Sequence, residues 1–199
     1  MIRSGRLRAA ALFLALAPAC YGAMIGSPNI FLIGPMGSGK TAVGRQLARL
    51  LKLPFLDSDH EIEVRTGADI PLIFEREGEA GFRKREREAI AGLSAQTGIV
   101  LATGGGAVLD PENRRLLAER GWVVYLEATV AQQAERAGRT RHRPLLNGGD
   151  PRRRLEELML IREPLYREVA DFTANTTRKR VGQVAERIVQ AYRAASANT

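Results

Sequence analysis

The chain has 199 residues, 45% of them hydrophobic and only 6% aromatic, enough for one well-formed core and too short for two ordinary domains. Its formal charge is +8, yet basic and aromatic residues do not interleave in the manner that stacks bases, so the charge argues for acidic ligands in general rather than for a nucleic acid. A single cysteine, Cys20, excludes an intramolecular disulfide and a thiolate zinc cluster and fits a reducing compartment.

Residues 1–26 form an acid-free leader in which Arg3, Arg6 and Arg8 precede an apolar stretch from Ala9 to Ala19. The layout is that of a short secretory signal, and the stretch is too short to cross a bilayer as a helix. Met24 lies just before the first apolar core run and is a natural start. Three readings stay open: an upstream start-site extension or disordered tail, a targeting peptide within residues 1–23, and a folded addition. The first is preferred, and a cytoplasmic location is expected.

From residue 27 onward, apolar runs alternate with helical periodicity, the signature of an α/β unit with a mostly parallel sheet. The pattern predicts strands near 29–33, 54–57, 99–102, 122–126 and 171–173. Helices are predicted at 40–51, 59–66, 70–77, 79–95, 111–119, 129–136, 151–168 and 181–195, leaving 196–199 as a tail. Asp110-Pro111 and Asp150-Pro151 each place a capping carboxylate before a proline at the first helical position. In such sheets ligands lie beyond the C-terminal strand ends, so the residues after each strand are the place to look for chemistry.

After the first strand comes Gly34-Pro35-Met36-Gly37-Ser38-Gly39-Lys40-Thr41, which spells G-x-x-x-x-G-K-T. A strand that empties into a glycine-rich turn and then a helix aims backbone N–H groups at an anion. Gly37, Ser38, Gly39, Lys40, Thr41 and Ala42 are the expected nucleotide-binding residues. Lys40 reaches the terminal phosphates and Thr41 is placed to ligate Mg²⁺.

The second strand ends in Asp57-Ser58-Asp59. Asp57 is the second metal candidate, with an ordinary helix cap as the competing reading. Asp59 is expected to orient an acceptor hydroxyl and to take its proton, although phosphoryl transfer depends more on positioning than on a strong base. Farther on, Phe82-Arg83 opens a helix with Glu86 one turn later to pair with Arg83; a solvated charged face accounts equally for the run Arg83 to Arg87. Gly104-Gly105-Gly106 follows the third strand and can present N–H groups to a hydroxylated ring, or be a flexible turn. Arg136, Arg139, Arg141 and Arg143 lead into Pro144 and the glycines Gly148-Gly149, a charged loop able to close over phosphates and exclude water, or merely a solvated one. Arg162 sits late in a long helix that Pro164 is expected to bend or interrupt. His60 and His142 have no catalytic or metal constellation around them.

In this ordered set the chain resembles the shikimate kinase family, small P-loop kinases of the nucleoside monophosphate kinase fold class. The resemblance runs from about Asn29 to Tyr192 and rests on GPMGSGKT at 34–41, DSD at 57–59, GEAGFRKRE at 78–86 and TGGGAV at 103–108, followed by RPLL at 143–146 and REPLYREVAD at 162–171. It implies a three-layer α/β/α P-loop kinase fold with a central five-stranded parallel sheet and a mobile lid. By the same resemblance, Arg83 and Arg162 bind the substrate carboxylate, Glu86 orients Arg83, and Gly104 to Gly106 wall the acceptor pocket. The resemblance further implies that Arg143 is the electrostatic catalyst and that Arg136 lies by the adenine. After Asn175-Thr176-Thr177 the chain departs from the family's arginine-rich turn ending in proline, since Lys179 and Val181 stand there; Lys179 is the residue carried over to the nucleotide.

The expectation is therefore a single kinase domain at 27–195, with an acceptor-binding segment near 59–95 and a lid near 137–150, catalysed by Lys40, Asp59 and Arg143. It would use ATP and Mg²⁺ to phosphorylate the 3-hydroxyl of shikimate in aromatic amino-acid biosynthesis, as a monomer with no nucleic-acid partner and no stable membrane association. A kinase for another polyol acid such as gluconate, and a non-catalytic nucleotide-binding regulator, are the rival readings.

Overall fold

The five residues Asn29–Ile33 (β1) are buried along their whole length, and their side chains divide between two cores. Ile30 and Leu32 enter one hydrophobic cluster, Phe31 and Ile33 the other. A strand covered on both faces reads as an unbroken apolar run, which is why this segment shows no alternation in the sequence. In the computed structural model, which describes residues 29–137 and 150–197, β1 is the central strand of a five-stranded sheet.

Strand β1 pairs in parallel with β3 (Val100–Ala102) on one side and with β4 (Gly121–Glu127) on the other. Outside these lie β2 (Phe55–Asp57) and β5 (Phe172–Asn175), also parallel, giving the order β2-β3-β1-β4-β5. The register aligns Leu32 with Ala102 and Ile33 with Tyr125, so the C-terminal ends of β1, β3 and β4 emerge at one edge.

Helices cover both faces. On one, α1 (Lys40–Leu51) and α7 (Val181–Ala197) supply Val43, Leu47, Ala48, Val184 and Ile188. On the other, α3 (Ile70–Ser94), α4 (Pro111–Arg120) and α6 (Pro151–Val169) supply Ile90, Leu93, Leu117, Tyr166 and Val169. The three-layer α/β/α arrangement follows. Truncating a fully buried residue such as Phe31 would cost on the order of 3–5 kcal/mol. A smaller cluster of Ile62, Ile73, Phe82 and Ala89 joins α3 to α2 (Ser58–Thr66) beside the main core. Helix α5 (Val130–Ala137) follows β4.

Helix α3 is two helical stretches joined at Gly78, whose φ of 68° and ψ of −176° belong to a region that only glycine occupies without strain. The predicted break between 70–77 and 79–95 falls at this residue. Two expectations need correction. Helix α6 runs uninterrupted through Pro164; the carbonyl that loses its partner belongs to Leu160, an exposed residue, where water can serve instead. Helix α7 continues to Ala197, two residues into the stretch expected as a tail.

The leader at 1–26, with Cys20, and most of the expected lid, with Arg139, Arg141, His142 and Arg143, lie outside the described residues. Among the described residues no helix is long and apolar enough to cross a membrane.

Candidate active site

Beyond β1 the backbone must turn sharply. Gly34 has φ 141°, and a Cβ there would lie 2.6 Å from the Leu126 carbonyl oxygen of β4, so no other residue fits. Helix α1 is capped by Gly39 in the left-handed region (φ 92°) with no side-chain cap. Its first N–H groups therefore have no side-chain partner and face outward with the positive end of the helix dipole, a ready anion cradle. Lys40 donates to the carbonyl oxygens of Gly34 and Pro35 at 2.8 and 2.9 Å, which holds its ammonium group over the turn. From α5, Arg136 donates to the Gly37 carbonyl at 2.7 Å and so closes the far side of the loop.

Asp57 performs two tasks. One oxygen caps α2 by accepting from the Asp59 N–H at 3.1 Å, and the other accepts the Thr41 hydroxyl at 2.9 Å. Asp57 is thus a helix cap, and its second oxygen lies beside the hydroxyl of Thr41, the other residue expected at Mg²⁺. Asp59, two residues on, points its Oδ1 into the protein without a hydrogen-bond partner among the described residues. Burial first, then the charges of Asp57, Glu86 and Glu63, push its carboxyl up to about 7 despite the opposing Lys40.

The charge run at 83–87 resolves into inward and outward members. Phe82, Glu86, Ala89, Ile90 and Leu93 are buried at helical spacing, which places Glu86 in an apolar stripe. Its Oε2 accepts from Arg83 Nη1 at 2.7 Å, and Glu79 accepts from the same guanidinium at 2.9 Å. Burial alone would pull the Arg83 pKa down, but Glu86 and Glu79 outweigh it and raise it. Burial lifts Glu86, with Arg83 opposing.

Arg162 on α6 is only 4% exposed. Among the described residues it makes no ion pair, and its Nε is buried without a partner. Burial and then the neighbouring Arg83 hold its pKa below the ordinary arginine value. Two guanidiniums that repel one another inside a protein are an arrangement suited to an anion.

The glycine turn has a role that the sequence did not show. Gly104 donates its N–H to Ser58 Oγ at 3.0 Å, so that donor is not available to a ligand. A Cβ at Gly104 would collide with Glu86 Oε1 and stand 2.9 Å from Asp59 Oδ1, and one at Gly106 would collide with both Nη atoms of Arg83. The glycines make space for the ionic side chains around the pocket.

A cleft of about 660 Å³ is lined by Met36, Gly37 and Gly39 to Ala42 of the P-loop, by Asp57, Asp59, Arg83, Glu86 and Arg162, and by Gly104 to Gly106; Ser38 is buried, and neither it nor Arg136 is among the lining residues. The cleft's volume suits a small molecule together with phosphate groups. Glu63, Asp69, Ile70, Pro71, Phe74 and Phe82 also line it; none of them was expected from the sequence as an individual binding residue. Lys179 is not among its lining residues; it lies exposed in the turn after β5.

A family model described as shikimate kinase matches residues 36–193. The chain belongs to the shikimate kinase family. A shikimate kinase of Thioalkalivibrio sulfidiphilus is 57% identical over 170 residues, covering 85% of this chain and 90% of the relative. The solved structure of shikimate kinase from Acinetobacter baumannii in complex with shikimate is 51% identical, with a TM-score of 0.83 over 85% of this chain and 94% of that one. A gluconokinase from Sinorhizobium meliloti, at 16% identity and a TM-score of 0.55, shares the fold alone. The shikimate kinase match spans the P-loop, the DSD turn, α3, the glycine turn and α6, the elements that build the cleft.

Proposed function

We propose that this chain transfers the γ-phosphoryl group of ATP to the 3-hydroxyl of shikimate, giving shikimate 3-phosphate and ADP. The observation that carries the reading is Arg162, a buried guanidinium without an ion pair among the described residues, set beside Arg83 in the cleft that the P-loop opens into. Such a pair calls for a carboxylate, which two forked donors hold at a fixed angle.

Within this reading Gly37 to Ala42 cradle the phosphates and Lys40 neutralises their charge. The Thr41 hydroxyl and Asp57 carboxylate, 2.9 Å apart, fit a Mg²⁺ that arrives with the nucleotide and keeps several waters, which needs few protein ligands; bound there, the ion would offset charge on the phosphoryl oxygens. Asp59 orients the acceptor hydroxyl and accepts its proton, while Gly104 to Gly106 keep room for the ring and for Arg83. Arg136 and Lys179 are assigned to the adenine end. Arg143, outside the described residues, is assigned to the transferred phosphoryl group on the family resemblance, within a lid at 137–150.

The acceptor assignment is tested by calorimetric titration with shikimate and with its neutral carboxamide. Shikimate should bind at least tenfold more tightly, a difference that disappears in Arg162→Ala; equal binding of the two compounds would contradict the carboxylate clamp.

A further inference from the structure

Phe74 and Phe82 lie eight residues apart on α3, as do Glu77 and Arg85. Along an unbroken helix that separation is about 12 Å. Yet the rings of Phe74 and Phe82 approach to 4.7 Å between centroids, and Arg85 donates from Nε and Nη2 to the two oxygens of Glu77 at 2.8 and 2.7 Å. Both contacts exist because the helix turns at Gly78, whose φ of 68° and ψ of −176° an L side chain does not adopt without strain. A Cβ at Gly78 would stand in open space, so the backbone alone demands glycine there. Gly81 has the opposite reason: a Cβ there would overlap Glu77, and its absence leaves that side chain room to fold back toward Arg85. The bend brings two stretches to one cleft, with Ile70, Pro71 and Phe74 from before it and Phe82, Arg83 and Glu86 from after it. Ile73 ahead of the joint and Phe82 and Ala89 beyond it share the small cluster with Ile62.

We propose that Gly78, Glu77 and Arg85 are positioning residues that set the width of the acceptor pocket: the glycine bend carries Ile70, Pro71 and Phe74 to the wall on which Arg83 stands, and the Glu77–Arg85 pair holds the bend. A forked guanidinium–carboxylate contact fixes an angle as well as a distance, which is what a joint between two helical stretches needs. Straightening the joint withdraws Phe74 from Phe82 and opens the pocket beside Arg83. Helix α3 packs chiefly against α2 and α4, whereas α1, which carries Lys40 to Ala42, packs chiefly against α7 and the sheet, so the effect falls on the acceptor side. This inference rests on the acceptor assignment above.

The experiment compares steady-state kinetics of the full chain with those of Gly78→Ala, Glu77→Gln, Arg85→Gln and the double variant of the last two. Alanine at 78 favours continuation of the helix, so the fraction of molecules with the bend falls and the apparent affinity for the acceptor falls with it. Gly78→Ala should raise the KM for shikimate about tenfold or more, the scale of one strained backbone position, with the KM for ATP unchanged within about twofold. Glu77→Gln and Arg85→Gln should each raise the KM for shikimate about threefold, within the range of a solvent-exposed ion pair, and the double variant should do no more than either alone. Arg76→Gln removes an exposed charge beside Glu77 and should leave both constants unchanged. A folded Gly78→Ala with the parent's KM for shikimate overturns the inference, as does an equal rise in both constants. If Gly78→Ala does not fold, the ion-pair variants decide: additive effects on the KM for shikimate, or none, overturn it. Absence of shikimate-dependent turnover in the unmodified chain would instead refute the acceptor assignment, and this inference with it.

Discussion

Glu86 holds Arg83 at 2.7 Å through one carboxylate oxygen, while its other oxygen, beside Gly104, is buried without a partner among the described residues. A carboxylate buried in this way fixes a guanidinium from behind, while the more exposed Glu79 accepts from its Nε and Nη2. Breaking such a pair from one side destabilises the fold, because the partly buried guanidinium keeps only the exposed Glu79 as its partner. Glu86→Ala should therefore lower the melting temperature and raise the KM for shikimate at least tenfold, with the KM for ATP little changed. A selective loss of ATP affinity would count against the placement of Arg83 in the acceptor site.

Gly106 offers a substitution whose effect is steric alone. Its φ of −98° is open to alanine, so the backbone is not strained, but the added Cβ would meet both Nη atoms of Arg83. Gly106→Ala should displace the guanidinium and weaken shikimate binding tenfold or more while ATP binding is retained. Calorimetric titration of the variant with each ligand checks this; unaltered shikimate affinity would mean that Arg83 does not contact the acceptor.

The Asp59 carboxyl is raised to about 7 from an unfolded value near 3.9. The folded state therefore binds this proton more tightly than the unfolded chain. Its contribution to stability is fully present below about pH 4 and is lost as pH rises to 7, with a total change of up to about 4 kcal/mol. Without nucleotide or metal, Asp59→Asn should be more stable than the parent at pH 8, and the difference should vanish near pH 4. The same substitution should reduce turnover by at least about a hundredfold. Thermal melts across pH test the first claim, and a variant less stable at pH 8 would contradict it.

Much of this site can be read from the sequence, for definable reasons. The G-x-x-x-x-G-K-T spacing is local and acts through backbone geometry, so Gly34, Gly39 and Lys40 lie where the spacing predicts. The Gly78 break was visible because a glycine in a helical pattern is a local signal. What stayed hidden depends on contacts between distant parts of the chain: Ser58 meets Gly104, Tyr166 meets Gly105, and Asp59 and Glu86 fill the space that Gly104 leaves. The sequence did contain one usable hint, a glutamate at 86 in register with Phe82, Ala89, Ile90 and Leu93. Pro164 does not interrupt α6; the carbonyl it frees belongs to the exposed Leu160, so water can take the place of the lost partner.

The Thr41–Asp57 contact predicts a metal phenotype. Thr41→Val preserves shape and removes the hydroxyl, so the Mg²⁺ concentration giving half-maximal turnover should rise several-fold, and Thr41→Ser should restore it. Equal Mg²⁺ dependence in Thr41→Val and the parent would remove Thr41 from the metal site.

The central claim is that the P-loop and the Arg83–Arg162 pair serve one reaction. It is tested most directly by ADP release from Mg-ATP with shikimate, with gluconate, and with no acceptor. Stimulation by shikimate alone, abolished in Lys40→Ala and strongly weakened in Arg162→Ala, is the predicted result. ATP binding without stimulation by shikimate, or equal stimulation by gluconate, would contradict it.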